Sequence, residues 1–134
     1  MHPSMMYQDL TTGTLINHAA RYHADSEIVS VSTSGEREYS SWGAVADNAR
    51  RLASAVDRLG IPAGARCATL AWNNRRHLEI YFAIGSGGRV THTLNPRLSI
   101  EHLTFIINDA EDQVLFFDAT FLPLLRQLRP HLTT

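Results

Sequence analysis

Residues 66–98, RCATLAWNNRRHLEIYFAIGSGGRVTHTLNPRL, decide the fold. The stretch opens on a short apolar run over 67–72 that is stopped by Asn73-Asn74. A run rich in helix formers follows over 77–84, then a Gly85-Ser86-Gly87-Gly88 break. A second, β-rich run over 89–94 ends at Asn95-Pro96. Two runs of strand length separated by a helix-length segment are the pattern of a βαβ unit. Neither run alternates cleanly between apolar and polar, which favours parallel strands covered on both faces.

The flanking sequence reads as layers packed on that unit. Upstream, Thr11 or Thr12 suits the N-cap of a helix over 13–22, with Leu15, Ile16, Ala19 and Tyr22 on one face. Strands over 28–32 and 36–39, joined at Ser34-Gly35, read as an antiparallel hairpin. Ser40 or Ser41 then caps the longest helix, which runs to residue 59. Its stripe is Trp42, Val45, Ala49, Leu52, Val56 and Leu59, with Gly60 just past the end. Downstream, Ser99 caps a helix to residue 109 that buries Leu103, Ile106 and Ile107. A third strand covers 113–117, and a last helix from about residue 120 turns Phe121, Leu124, Leu125 and Leu128 inward. The expected fold is α/β: an open, largely parallel sheet of βαβαβα units flanked by helices, preceded by an N-terminal helix and a small antiparallel hairpin. No repeat, linker or low-complexity segment interrupts it.

Composition narrows the chemistry. A chain of 134 residues with 44% hydrophobic and 19% charged residues has the make-up of one globular domain with a real core. A net charge of −1 supplies no basic stripe for nucleic acid. All twelve cationic residues are arginine, so no P-loop lysine, Schiff-base lysine or other lysine-dependent phosphate chemistry can come from these residues. The single cysteine, Cys67, reads as a small core residue. The opening MHPSMMYQDL has neither a basic nor an apolar region of signal-peptide type, and no apolar run approaches a membrane span. A cytoplasmic location is the expectation, with peripheral membrane association left open.

Several features invite a functional reading and have a simpler one. The glycine cluster at 85–88 follows a helix and precedes a strand, the reverse of a phosphate cradle, so it reads as a helix stop. Seven histidines include the pairs His18–His23 and His92–His102, neither with metal-ligand spacing; no metal site is expected. His92 lies in a strand and therefore needs a buried partner. Glu111-Asp112 reads as a solvated turn. Asn73 and Asn95 stand at the carboxyl ends of two parallel strands, the edge where open α/β sheets bind ligands, and are the substrate-binding candidates. Asparagine also suits such turns on its own account. Arg75 and Arg76, opening the next helix, could meet an anion or simply be solvated.

The run LGIPAGARCATLAWNNRRHLEIYFAIGSGGRVTHTLNPRLSIEHLTFIINDAEDQVLFFD resembles the early region of acyl-CoA synthetases of the AMP-forming superfamily, most closely the medium- and long-chain fatty-acid branch. The points of likeness are Trp72-Asn73, Arg76-His77-Leu78-Glu79, residues 92–98 (HTLNPRL), Glu101-His102, residues 108–111 and the strand end Leu115-Phe116-Phe117-Asp118. The likeness extends from about residue 11 onward and includes the helix over 42–59. Gly85 stands where relatives often have proline, and Arg89 where a small residue is usual, which suggests a charged edge there.

The resemblance implies an enzyme that activates a fatty acid with ATP and Mg²⁺ to an acyl-adenylate and passes the acyl group to CoA. It also implies that the phosphate loop, the ribose-binding Asp and the lysine-bearing lid lie later in such proteins. No catalytic residue is expected in this chain. Residues 1–134 would then be a partial N-terminal domain, inactive alone, with no cofactor of its own and a homodimer as a modest expectation. Another adenylate-forming enzyme (an acyl-AMP ligase or aryl-CoA ligase), or a stand-alone small α/β ligand-binding or regulatory module, are the alternatives. A further expectation is that the helix over 77–84 and the strand VLFF leave apolar surface that this chain cannot cover.

Overall fold

The computed structural model describes Tyr7 and residues 9–133. Most of the polar opening stretch therefore lies outside the described residues. The helix α1 spans Thr12–Tyr22, capped by Thr11, whose hydroxyl accepts from Thr14 N at 3.1 Å. The hairpin strands β1 (Glu27–Val31) and β2 (Arg37–Ser41) pair antiparallel, with Val29 opposite Tyr39. Ser41 caps α2 (Trp42–Arg58), accepting from Ala44 N. Three parallel strands follow, β3 (Arg66–Leu70), β4 (Val90–Thr93) and β5 (Val114–Phe117), connected by α3 (Arg75–Ser86) and α4 (Ile100–Asp109). A single 3₁₀ turn, Ala119–Phe121, leads into α5 (Leu122–Leu128), and a second, Arg129–His131, follows it.

The sheet order is β4-β3-β5, so β3 is central and the chain winds out to one side and then back past it to the other. Right-handed crossovers in opposite directions place their helices on opposite faces. Adjacent residues of β3 show both faces at once. Cys67 packs with Val56 of α2 and Ile84 of α3, whereas Ala68 and Leu70 pack with Leu103, Ile107, Phe121 and Leu128. A third cluster, Ile16, Val45 and Ala46 with Trp42, Leu78 and Phe82 against it, ties α1 and α2 to α3. The α/β architecture read from sequence is the one observed, and Cys67 is fully buried.

The structure corrects five details. α3 begins at Arg75 and continues through Gly85 and Ser86, so the break is Gly87-Gly88, with Gly88 at φ +73°. Gly85 is a packing position: a Cβ there would stand 2.7 Å from Thr12 Oγ1, which is how α1 approaches α3 so closely. Leu59 is 71% exposed, because it caps α2 instead of completing its stripe. Arg89 is buried, not a charged edge: its guanidinium donates to the carbonyls of Ile61 and Gly87 and to Asp57 Oδ1 at 2.7 Å. Asp112 is likewise buried, so only Glu111 forms the solvated part of its turn, at φ +50°. The expected uncovered apolar surface is on one element only. α3 is covered by α1 and α2, leaving Tyr81 as its one large apolar residue in the open, whereas β5 is an edge strand with Phe117 45% exposed.

Candidate functional site

The carboxyl ends of β3 and β5 and the turn end of the hairpin meet around one polar cleft. Its shape follows from the turn Ala71-Trp72-Asn73-Asn74 that leaves β3. Trp72 N donates to Asp118 Oδ2 at 2.7 Å, its indole N–H donates to Thr120 Oγ1 at 2.9 Å, and its ring lies 4.9 Å from that of Phe121. These contacts lock the exit of β3 to the exit of β5. Asn74 accepts from His77 N at 3.1 Å and so caps α3. Arg75 N donates to the buried Ser30 Oγ at 2.8 Å, which fixes the hairpin to the same corner.

Charge in the cleft is mixed. Glu38 and Asp118 contribute carboxylates, and Arg76 contributes a guanidinium that makes no ion pair among the described residues. Arg75 pairs with the largely buried Glu79 at 2.5 Å and, more distantly, with Glu38 of the cleft at 4.0 Å, and Asn48 Nδ2 donates to the Glu79 carboxylate at 2.8 Å. Asn73 is exposed between two cleft residues but does not line the cleft. Asn95 is exposed beyond β4, and its Oδ1 accepts from Arg97 N at 3.0 Å, a local turn contact. The cleft residue at this edge is Asn74, the neighbour of the predicted Asn73. Sequence alone gave no means of choosing between adjacent asparagines, because the capping geometry depends on where α3 starts.

Two histidine pairs have distances suited to proton transfer and positions that are not. His77 Nε2 and Thr69 Oγ1 are 2.9 Å apart, the spacing of a base and a hydroxyl nucleophile. Thr69 is 1% exposed, however, and His77 Nδ1 is buried without a partner. Burial pushes the His77 imidazole below its ordinary range, with Asp118 opposing. No substrate can reach that hydroxyl, so the pair is part of the core. His92 Nδ1 lies 2.7 Å from Asp112 Oδ2, the buried partner that its strand position demanded. Burial raises the Asp112 carboxyl, while the hydrogen bond and charge of His92 and the charge of Arg66 oppose this. Among the described residues, no three His, Cys, Asp or Glu side chains come together as a metal site. The β3–α3 turn has no glycine and the chain no lysine. These residues do not make a triphosphate or Mg²⁺ cradle.

Fold and cleft together define a doubly wound α/β segment that opens a polar crevice at the carboxyl edge of its sheet. The chain belongs to the AMP-binding enzyme family, whose match covers residues 16–133. It is 58% identical over 97% of its length to a 3-methylmercaptopropionyl-CoA ligase of Ruegeria pomeroyi, covering 24% of that protein. It is 52% identical over 92% of its length to a medium-chain-fatty-acid–CoA ligase of Ectopseudomonas oleovorans, covering 23% of it. The crystal structure of the N-terminal domain of FACL13 from Mycobacterium tuberculosis shares the fold, with a TM-score of 0.76 and 21% identity. It matches 92% of this chain and 32% of that one. The chain thus spans about a quarter of the length of the curated relatives it matches. No helix among the described residues is long and apolar enough to cross a membrane.

Proposed function

We propose that these residues are the N-terminal part of an AMP-forming acyl-CoA ligase. The parent enzyme joins a fatty acid to CoA through an acyl-adenylate, using ATP and Mg²⁺. The observation that carries the reading is identity of 58% and 52% to two CoA ligases, sustained over nearly the whole chain and continuous with the family match. Within the chain the role is structural. Its strands and helices supply part of the frame on which the nucleotide and acyl sites are built, and the catalytic groups lie elsewhere. Any direct contact with ligand is confined to the carboxyl edge of the sheet, at the cleft around Asn74 and Arg76 and the nearby Asn73 and Asn95.

The test is acid-dependent ATP–pyrophosphate exchange by the product of the full reading frame, followed by thioester formation with CoA. Exchange with a medium-chain acid, and none from residues 1–134 alone, is the expected result. Exchange by the isolated chain would overturn the structural role, and a full product inert with every carboxylic acid tried would overturn the ligase reading. The slightly higher identity to the methylmercaptopropionate enzyme favours a second choice of acid, a short thioether acid. Comparing kcat/KM for 3-methylmercaptopropionate and octanoate decides between them.

A further inference from the structure

Resting on the reading that ligand contact in this chain is confined to the carboxyl edge of the sheet, we infer that the cleft beside Trp72 binds a small amino-acid zwitterion. Arg76 holds its carboxylate, Glu38 and Asp118 hold its ammonium group, and the Trp72 indole carries its apolar stem.

The cleft is small and its walls are fixed. Its volume is about 240 Å³, below the size that encloses a drug-like molecule. Three separate segments line it, the hairpin turn, the β3–α3 turn and the exit of β5. They are tied together by bonds already in place: Trp72 N to Asp118 Oδ2, the indole N–H to Thr120 Oγ1, and Arg75 N to Ser30 Oγ. A ligand therefore meets a preformed surface and spends little of its binding energy on ordering it.

The charges that face this space are left with unused capacity. Arg76 is exposed and makes no ion pair among the described residues. Glu38 has only Arg75 for a neighbour, at 4.0 Å, and that guanidinium is engaged more closely by Glu79 at 2.5 Å. Asp118 accepts from Trp72 N through Oδ2, which leaves its Oδ1 without a partner among the described residues. A simple anion would gain one guanidinium and be repelled by two carboxylates, and a simple cation would be repelled by Arg76. A molecule with both charges satisfies all three groups. The cationic end is a primary ammonium and not a quaternary one, because its three N–H donors match the acceptors present, two carboxylates and the Thr33 hydroxyl.

Trp72 supplies the apolar component. One side of its ring packs against Phe121 at 4.9 Å, yet the residue remains 41% exposed at the cleft. An indole pinned by its own N–H and left open on one side is a ready platform for a short hydrocarbon stem. Asn74 takes no part, since its side chain is committed to capping α3.

The test is calorimetric titration of the product of the full reading frame with L-leucine, with octanoate present throughout and pyrophosphate exchange assayed on the same preparation. Leucine should bind about tenfold more tightly than its methyl ester, which lacks the carboxylate, and than N-acetyl-leucine, which lacks the ammonium. Arg76→Gln should weaken leucine about tenfold and leave the ester unchanged, whereas Glu38→Gln should weaken both. Absence of binding up to about 10 mM overturns the zwitterion site. So does N-acetyl-leucine or the ester binding as well as leucine, and so does leucine binding that neither variant alters. A protein that activates acids and takes up no leucine loses this site and keeps the ligase reading. Leucine binding that responds to both variants, in a protein that activates no acid, does the reverse.

Discussion

His77 is a histidine held neutral inside a protein, and its stability effect has a definite sign. Its folded-state affinity for a proton is lowered from the ordinary 6.5 by burial. Below that value the unfolded chain takes up a proton that the folded chain refuses. The contribution is therefore fully present above pH 6.5 and is lost as the pH falls toward the lowered folded value. Urea midpoints at pH 7.5 and 5.5 should differ less in His77→Gln than in the parent, since glutamine keeps a polar partner for Thr69 and does not titrate. Parallel pH profiles would remove His77 as the source. Arg89 offers a second residue-scale prediction. Its guanidinium satisfies the Ile61 carbonyl and pairs with the exposed Asp57. Arg89→Ala should cost about 2–4 kcal/mol by urea denaturation, mostly from the buried carbonyl left without a donor. A cost under about 0.5 kcal/mol, the level of a surface change, would contradict the burial argument. Neither role was legible beforehand. Asp112 looks like half of an acidic turn and Arg89 like a strand-end charge, because the partners that bury them, His92 and Ile61, are 20 and 28 residues away.

At the scale of elements, local rules carried most of the reading and failed where two elements meet. α2 announced itself through Val45, Ala49 and Val56 at helical spacing, and all three are buried. α3 was shortened at both ends. Its start hides in Asn73-Asn74, two residues equally able to cap. Its end hides in Gly85, which a sequence reader takes as a breaker and the structure uses as the contact with Thr12. The capping assignment separates the two asparagines experimentally. Asn74→Ala should lower stability by about 1 kcal/mol, Asn74→Asp should restore most of it, and Asn73→Ala should stay within about 0.5 kcal/mol of the parent. Equal losses at both positions would refute the cap. Likewise the cleft was legible as a location, the carboxyl edge of the strands, but not as a residue set. Ser30, Glu38 and Asp118 reach it from segments that only the folded chain brings together.

For the whole molecule, the two sides of the sheet are unequal. One face is closed by α1, α2 and α3, while the β5 edge and its groove stay open. Residues 1–134 prepared alone should therefore self-associate, with the weight-average mass in sedimentation rising with concentration. Phe117→Lys should suppress that rise by placing a charge on the pairing edge. Association unchanged by the lysine would move the contact to another surface, such as the exposed Val29 and Tyr39 of the hairpin.

The central position of β3 has a consequence for how such a protein is made. During synthesis β3 leaves the ribosome first, β4 follows within about two dozen residues, and β5 within about two dozen more. Each newly emerged strand thus meets an edge that is already built, and none must wait for a distant partner. At roughly 5–20 residues per second, the interval between arrivals is on the order of seconds, long compared with the microseconds in which a helix closes. The nascent chain can consolidate one layer before the next is delivered, because β3 keeps its second edge free for β5 after β4 has paired with the first.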